Sequence, residues 1–173
     1  MIDKPTYQDR LKGILHQGNN GGSDAKSELE EAVAELAGAA FGYLRGIRDT
    51  PGAVEFRLRK GVSVWFPYSW LGPWWFDPSE GLLLKFSGDM VYLVLIRGSN
   101  LDKPLGEGSI NLTSGGLQRS RIVWIREMSE ADIRLVGEKG PTIDSIDIEQ
   151  FESHEALNAW LEKHAPAFAH KEH

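Results

Sequence analysis

The apolar residues that follow Gly52 recur at every second position, which is the spacing of a β-strand with one buried face. The segment VEFRLRKGVSVWF, 54–66, carries this alternation on both sides of a KG dipeptide and predicts a hairpin. A second hairpin is predicted where GLLLKF and MVYLVLI flank SGD, and 120–127 and 142–148 add single strands. Together these segments predict a mostly antiparallel sheet of about five or six strands.

Segments at both ends of this region have helical spacing instead. Ser27 and Glu30 form a capping box, and the apolar residues after it predict a long N-terminal helix from about 28 to 48. Near the other end, SHEALNAWLEKHAP predicts a shorter C-terminal helix, and two helical turns are predicted to begin after Ser129. We therefore predict an α+β fold in which the long N-terminal and the shorter C-terminal helix pack on one face of the sheet.

The 173 residues are predicted to form one domain with flexible ends. Residues 1–26 finish in a polar, glycine-rich stretch and are predicted to be a flexible N-terminal arm. Residues 27–165 are predicted to form the single α+β domain, and residues 166–173 a flexible C-terminal tail. Within the domain, 100–118 is a long irregular connection, and loops of that length often carry function.

Composition excludes several kinds of chemistry. The sequence has no cysteine, so it can hold no disulfide, thiolate nucleophile or zinc–thiolate site, and it fits a reducing cytoplasm. A formal net charge of −6 gives no global positive field for nucleic acid or anionic membranes. No apolar run approaches the roughly 20 residues that span a bilayer, and the N-terminus lacks the apolar core of a signal peptide. We expect a soluble, cytoplasmic protein of bacterial type with no membrane partner.

The residue types that usually carry catalysis form no recognisable motif. The five histidines have no metal-binding spacing, there is no nucleophile elbow, and the glycine-rich stretches lack the lysine of a phosphate loop. We therefore expect no metal and no cofactor, and a non-enzymatic role is favoured. The alternative is a carboxylate-dependent hydrolase that uses Glu55, Asp77 or Asp89.

The segment WFPYSWLGPWWF, 65–76, holds four tryptophans, two phenylalanines and a tyrosine, interrupted by prolines and a glycine. One interpretation is a lid over the core, because each large ring buries about 150–250 Å². The other is a binding surface, because tryptophan and tyrosine are the usual anchors of protein interfaces. Neighbouring residues of an extended chain point in opposite directions, so Trp65 is on the other face of the strand from Phe66. For the same reason, one of the two adjacent tryptophans is left for contact. The candidate partner-binding residues of this segment are Tyr68, Trp70, Trp74 and Trp75.

The segment LIRGSNL, 95–101, resembles the second motif of Sm-like RNA-binding proteins, in which an apolar strand ends in Arg-Gly-Asp/Asn. The resemblance implies that Arg97 and Asn100 help to hold a nucleotide, and that a helix precedes bent antiparallel strands. It covers these seven residues, and FDPSEGLLL lacks the methionine and asparagine of that family's first motif. Arginines on the predicted strands, among them Arg57 and Arg59, either form a basic surface or solvate the exposed face of the sheet.

These observations favour a non-enzymatic interaction module that binds a protein partner through the aromatic, proline-interrupted segment. An RNA-binding sheet module is the first alternative, with stacking on tryptophan or tyrosine and a steep dependence on salt. The carboxylate-dependent hydrolase is the second. The six candidate partner-binding residues are Tyr68, Trp70, Trp74, Trp75, Arg97 and Asn100, and the oligomeric state is left open.

Overall fold

A computed structural model describes residues 38–44, 50–106 and 110–169. They belong to one compact unit, Gly38–His173, and a second unit, Met1–Ala37, lies outside the described residues. The described part contains eight strands in two sheets of four. The strands are β1 Phe41–Tyr43, β2 Ala53–Arg57, β3 Ser63–Pro67, β4 Leu71–Asp77, β5 Gly81–Ser87, β6 Val91–Ser99, β7 Ile122–Arg126 and β8 Thr142–Phe151.

Short helical segments connect the strands. The α-helices are α1 Glu130–Val136, α2 His154–His164 and α3 Pro166–Ala169. Leu112–Leu117 forms a π-helical segment, and Tyr68–Trp70 and Gly137–Lys139 are 3₁₀ turns. The predicted start of α1 is confirmed, because the Ser129 hydroxyl accepts a hydrogen bond from the Asp132 N–H. None of the helices in the described ranges is long and apolar enough to cross a membrane.

The first sheet has the order β1-β7-β2-β3. Its pairs are antiparallel except β2 with β7, which run parallel. The predicted β2–β3 hairpin is confirmed, and the Leu58 N–H closes its turn by donating to the Val62 carbonyl at 2.8 Å. Among the described strands, β3 is therefore an edge strand with a neighbour on one side.

The second sheet has the order β4-β5-β6-β8 and is antiparallel throughout. The predicted β5–β6 hairpin is confirmed. The register of β6 against β8 shifts between Arg97 and Gly98, so that Ser145 and Ile143 face consecutive residues of β6. This bulge explains why Ile143 and Ile146 are both buried although they are out of phase in a regular strand.

The main core lies between the facing surfaces of the two sheets. Phe56 and Phe66 of the first sheet contact Phe86 of the second, with ring centroids 6.0 and 4.6 Å apart. Leu82, Leu84, Val94 and Ile96 of the second sheet are buried in the same cluster. Alternate residues of each strand supply this core, as expected for two packed sheets.

A second core lies on the other face of the second sheet. Leu83, Leu93 and Leu95 pack there against Leu157 and Leu161 of α2. The sheet is therefore covered on both sides, which explains why GLLLKF and VYLVLI are apolar at consecutive positions. The predicted C-terminal helix is confirmed as α2. Residues 166–169, at the start of the predicted tail, form α3 with Phe168 buried, and 170–173 lie outside the described residues.

The predicted fold class is wrong in two respects. The strands form two four-stranded sheets rather than one sheet of five or six, because β5 and β6 need cover on both faces. The long N-terminal helix is also wrong where the structure describes it, since Phe41–Tyr43 is a strand paired with β7. Gly38 and Gly42 disfavour a helix there by about 1 kcal/mol each. The remainder of the predicted helix, 28–37 and 45–48, and the predicted arm, 1–26, lie outside the described residues.

Candidate functional site

The aromatic segment is distributed over both sheets rather than gathered on one surface. Trp65 lies on the outer face of β3 and is 59% exposed, whereas the next residue, Phe66, is 3% exposed in the main core. This alternation is the one predicted from the sequence. Trp65 is thus the member of the segment whose ring is most open to a partner in the described structure.

Tyr68 supports the fold through its hydroxyl. The hydroxyl donates a hydrogen bond to the Ile122 carbonyl at 2.8 Å, which joins the turn after β3 to the start of β7. Burial raises the pKa of the Tyr68 hydroxyl well above its ordinary value, so the group stays a donor at physiological pH. The Tyr68 N–H also donates to the Gly52 carbonyl at 3.0 Å, just beyond β2 and β3.

The three other predicted tryptophans are half-buried. Trp70 and Trp74 pack against the main core, whereas Trp75 packs against the second core. Adjacent Trp74 and Trp75 point to opposite faces of β4, as predicted, but neither stands free of a core. The Trp70 ring also covers Gly88 so closely that a Cβ there would overlap it. Each of these rings therefore packs against a core and leaves only part of its surface for contact.

The hydrogen-bond pattern of the β2–β3 hairpin leaves backbone groups of β3 pointing outward. The Leu58 N–H donates to the Val62 carbonyl at one end of this ladder, and the Tyr68 N–H donates to the Gly52 carbonyl at the other. Between these two ends, Phe56 lies opposite Val64. Bonded and non-bonded pairs alternate in an antiparallel ladder, so the N–H and C=O groups of Ser63 and Trp65 face away from β2. Pro67 ends this row because it has no N–H.

The outer face of the first sheet places Glu55 in a row between two tryptophans. Glu55 is opposite Trp65 on one side and opposite Trp124 on the other. Arg57 pairs with Glu55 at 2.8 Å, and its guanidinium carbon lies 4.7 Å from the centroid of the Trp124 ring. The hydrogen bond from Arg57 lowers the pKa of Glu55 below its ordinary value, although partial burial acts in the opposite direction.

Exposed apolar side chains in the described part of the chain concentrate near β3. Large ones are Val62, 54% exposed, Trp65, 59% exposed, and Leu135 on α1, 76% exposed. Val62 lies just before β3 and, by strand alternation, points to the face opposite Trp65, so the two side chains are exposed on opposite faces of one edge of the described sheet. We call Val62, Ser63 and Trp65 the β3 edge.

Most of the strand arginines make internal contacts. Arg59 donates to the carbonyls of Met128 and Asp144 at 2.8 and 2.9 Å. Arg121 donates to the Leu44 carbonyl, and Arg126 donates to the Ala39 carbonyl and pairs with Asp132 at 3.2 Å. These guanidinium groups therefore connect loops to the sheets. Because they are engaged in internal contacts, they contribute little to the basic surface that the sequence suggested.

Arg97 and Asn100 have separate structural contacts. Arg97 pairs with Asp147 at 2.7 Å and donates to the His164 carbonyl at 3.2 Å, which stabilises the C-terminal end of α2. An open cavity of about 220 Å³ adjoins this pair and is also lined by Glu149, Trp160 and His164. Asn100 has a φ of 57° and its amide donates to the Gly140 carbonyl at 3.3 Å.

The six predicted binding residues do not form one site. Trp75 and Arg97 share the helix-covered face of the second sheet, since Trp75, Leu83 and Leu95 lie in one row and Arg97 is two residues from Leu95. Trp70 and Trp74 face the main core, and Tyr68 contacts the first sheet. Asn100 follows β6 in a turn.

The three candidate carboxylates are also separated. Asp77 accepts hydrogen bonds from the Ser79 backbone and hydroxyl at 3.0 and 2.7 Å, at the end where β4 turns into β5. Asp89 lies in the turn at the opposite end of β5, about 20 Å away along a strand of this length. Glu55 belongs to the other sheet.

No group of three or more metal-ligating side chains occurs among residues 38–44, 50–106 and 110–169. In the same ranges, each buried side-chain nitrogen or oxygen has a hydrogen-bond partner. Comparisons with protein-family models, curated proteins and solved structures found no match for this chain. The β3 edge is thus the candidate site that the described geometry singles out. The alternation around Trp65 was the signal for it, but the free edge required the strand order.

Proposed function

We propose that this chain is a non-enzymatic protein-binding module that contacts another protein chain through the β3 edge. The observation that carries the proposal is the exposure of Trp65, a large ring that the surrounding sheet leaves 59% open, on β3, which is an edge strand among the described strands. Trp70, Trp74 and Trp75 pack against the two cores and lie outside the β3 edge, so they are not part of this proposed contact. A cytoplasmic location belongs to the proposal and is supported by the absence of cysteine from the sequence.

The energetic scale of Trp65 suits this role. Covering the exposed part of a tryptophan ring, on the order of 100 Å², contributes about 2–3 kcal/mol. That is the scale of a residue that dominates an interface. Glu55 and Arg57 beside it already pair with each other, so a partner can cover this face without leaving a lone charge buried.

Capture of binding proteins from an extract of the source cells tests the proposal. We expect the immobilised wild-type chain to retain specific proteins, and Trp65→Ala to reduce their capture by about tenfold or more. Leu135→Ala is the matched control, because it also removes a large exposed apolar side chain but from α1. Equal capture by Trp65→Ala and the wild type, with both folded, would contradict the proposal.

The two alternative functions receive less support. An RNA-binding sheet needs free positive charge, whereas Arg59, Arg97, Arg121 and Arg126 are held by internal carbonyls and acids. RNA retention that weakens steeply with salt in the same capture experiment would favour it. A carboxylate hydrolase needs two acids close together, and Glu55, Asp77 and Asp89 lie apart.

A further inference from the structure

We infer that the chain which pairs with the β3 edge is a second copy of this protein, and that the two β3 strands align antiparallel about Val64. This inference rests on the proposed function, because it uses the same surface and names its occupant. It joins two first sheets into one continuous sheet across a two-fold axis.

Within its own sequence, β3 lacks the features that protect the other edge strands of the described fold. β1 has three residues, β4 contains Pro73 within an irregular register, and β8 carries Asp144, Asp147 and Glu149. Short length, proline, bulges and charge are the usual means of preventing edge-to-edge pairing. β3 has none of them before its final residue, since its sequence is SVWFP.

The register about Val64 satisfies the outward backbone groups of both copies. With Val64 opposite Val64 of the second copy, Ser63 faces Trp65 of the other chain, and the outward N–H and C=O groups of both residues are satisfied in both copies. Pro67 then lies opposite Gly61, in the turn, where its missing N–H interrupts no pair. Shifting the register by one residue in each chain would place Pro67 opposite Ser63 and leave a carbonyl without its donor.

This register also covers the exposed Trp65 rings without bringing like charges together. Each Trp65 lies beside Ser63 of the other copy and diagonally across from the other Trp65, within reach of a large ring. The residues that meet, Ser63, Val64 and Trp65, are uncharged. In the resulting cross-strand row, Arg57 and Ser63 of one copy are followed by Trp65 and Glu55 of the second copy.

Disulfide trapping tests the register directly, because the chain has no cysteine of its own. In Val64→Cys the two sulfurs face each other across the two-fold axis, at a Cα separation of about 4.5 Å that suits a disulfide. We expect mild oxidation to convert this variant to a covalent dimer. In the control, Val62→Cys, the two cysteines are about 13 Å apart along the strands and should cross-link at least about tenfold less. Cross-linking of Val64→Cys no greater than that of Val62→Cys would overturn the inference.

Sedimentation of the full chain gives a second measurement. We expect the wild type to form a concentration-dependent dimer. Ser63→Pro removes one outward N–H per copy and should raise the dimer Kd by about tenfold or more. Ser63→Ala keeps that N–H and should change the Kd little. A wild-type chain that stays monomeric up to high micromolar concentration would overturn the inference. If that monomer still captured another protein through Trp65, the proposed function would stand. Cross-linking through Val64→Cys together with undiminished capture by Trp65→Ala would instead remove the proposed role of Trp65.

Discussion

Glu55 and its neighbours pair their charges with one another, so a partner protein can cover the outer face of the first sheet. Its carboxylate is held by Arg57, and Arg57 also covers the Trp124 ring, so charge and ring surface are paired within the face itself. Gly42, opposite Trp124, gives the indole room, since a Cβ at that position would overlap the ring. What is left for a partner is Trp65, on the other side of Glu55.

The lowered pKa of Glu55 predicts a pH dependence of stability. Ionised Glu55 contributes stability above its ordinary pKa of 4.5, and that contribution is lost as the pH falls through the lower pKa of the folded state. The free energy of unfolding of the wild type should therefore exceed that of Glu55→Gln at pH 7, with a difference that shrinks below pH about 4.5. Urea unfolding between pH 7 and 3 measures it. Glu130→Gln, which breaks an exposed pair with Arg134, is the control, and a Glu55→Gln difference independent of pH would refute the assignment.

Removal of the Tyr68 hydroxyl oxygen should lower the stability of the protein. In Tyr68→Phe the Ile122 carbonyl loses its donor in a half-buried place, which should lower the free energy of unfolding by about 1–2 kcal/mol. Tyr92→Phe is the matched control at a ring that packs against Phe66. Urea denaturation of both variants should show the larger loss for Tyr68→Phe. Equal effects would mean that the hydrogen bond to Ile122 contributes little.

At the scale of elements, the sequence predicts strands where one face is buried and fails where local signals conflict. The hairpins β2–β3 and β5–β6 were predictable because alternation and turn residues agree. β1 was misread as helix because its apolar residues fit a helical period, and only pairing with β7 decides otherwise. β4 was not predicted, because Pro73 and a run of aromatic residues interrupt the alternating strand pattern. The candidate site was predictable only in part, since alternation exposes Trp65 but strand order makes β3 an edge.

The bulge between β6 and β8 carries its own prediction. The backbone of Gly98 passes so close to the Thr142 carbonyl that a Cβ would overlap it. Gly98→Ala should therefore destabilise the protein by about 1–3 kcal/mol, because the strands must separate. Gly52→Ala is the control, since no atom lies within 4 Å of a Cβ built there. Thermal unfolding should show a clear decrease in Tm for Gly98→Ala alone, and a neutral Gly98→Ala would contradict the tight pairing. The same contact gives Gly98 a structural reason within the segment LIRGSNL.

At the scale of the whole molecule, the two sheets differ in how their outer faces are covered. The second sheet has the main core on one side and α2 with α3 on the other. In the described part of the chain, the outer face of the first sheet instead presents Trp65 and the unprotected edge of β3. This asymmetry is the basis of the proposed function, because it separates a stabilising sheet from a sheet available for contact.

Photo-cross-linking inside cells tests that claim most directly. A photoreactive amino acid at position 62 lies on the β3 edge, three residues before Trp65, and the same residue at position 135 lies on α1 as an exposed reference. We expect a discrete cross-linked protein from position 62, lost when Trp65→Ala is added, and none from position 135. Equal products from both positions, or a product from position 62 that persists in Trp65→Ala, would contradict it.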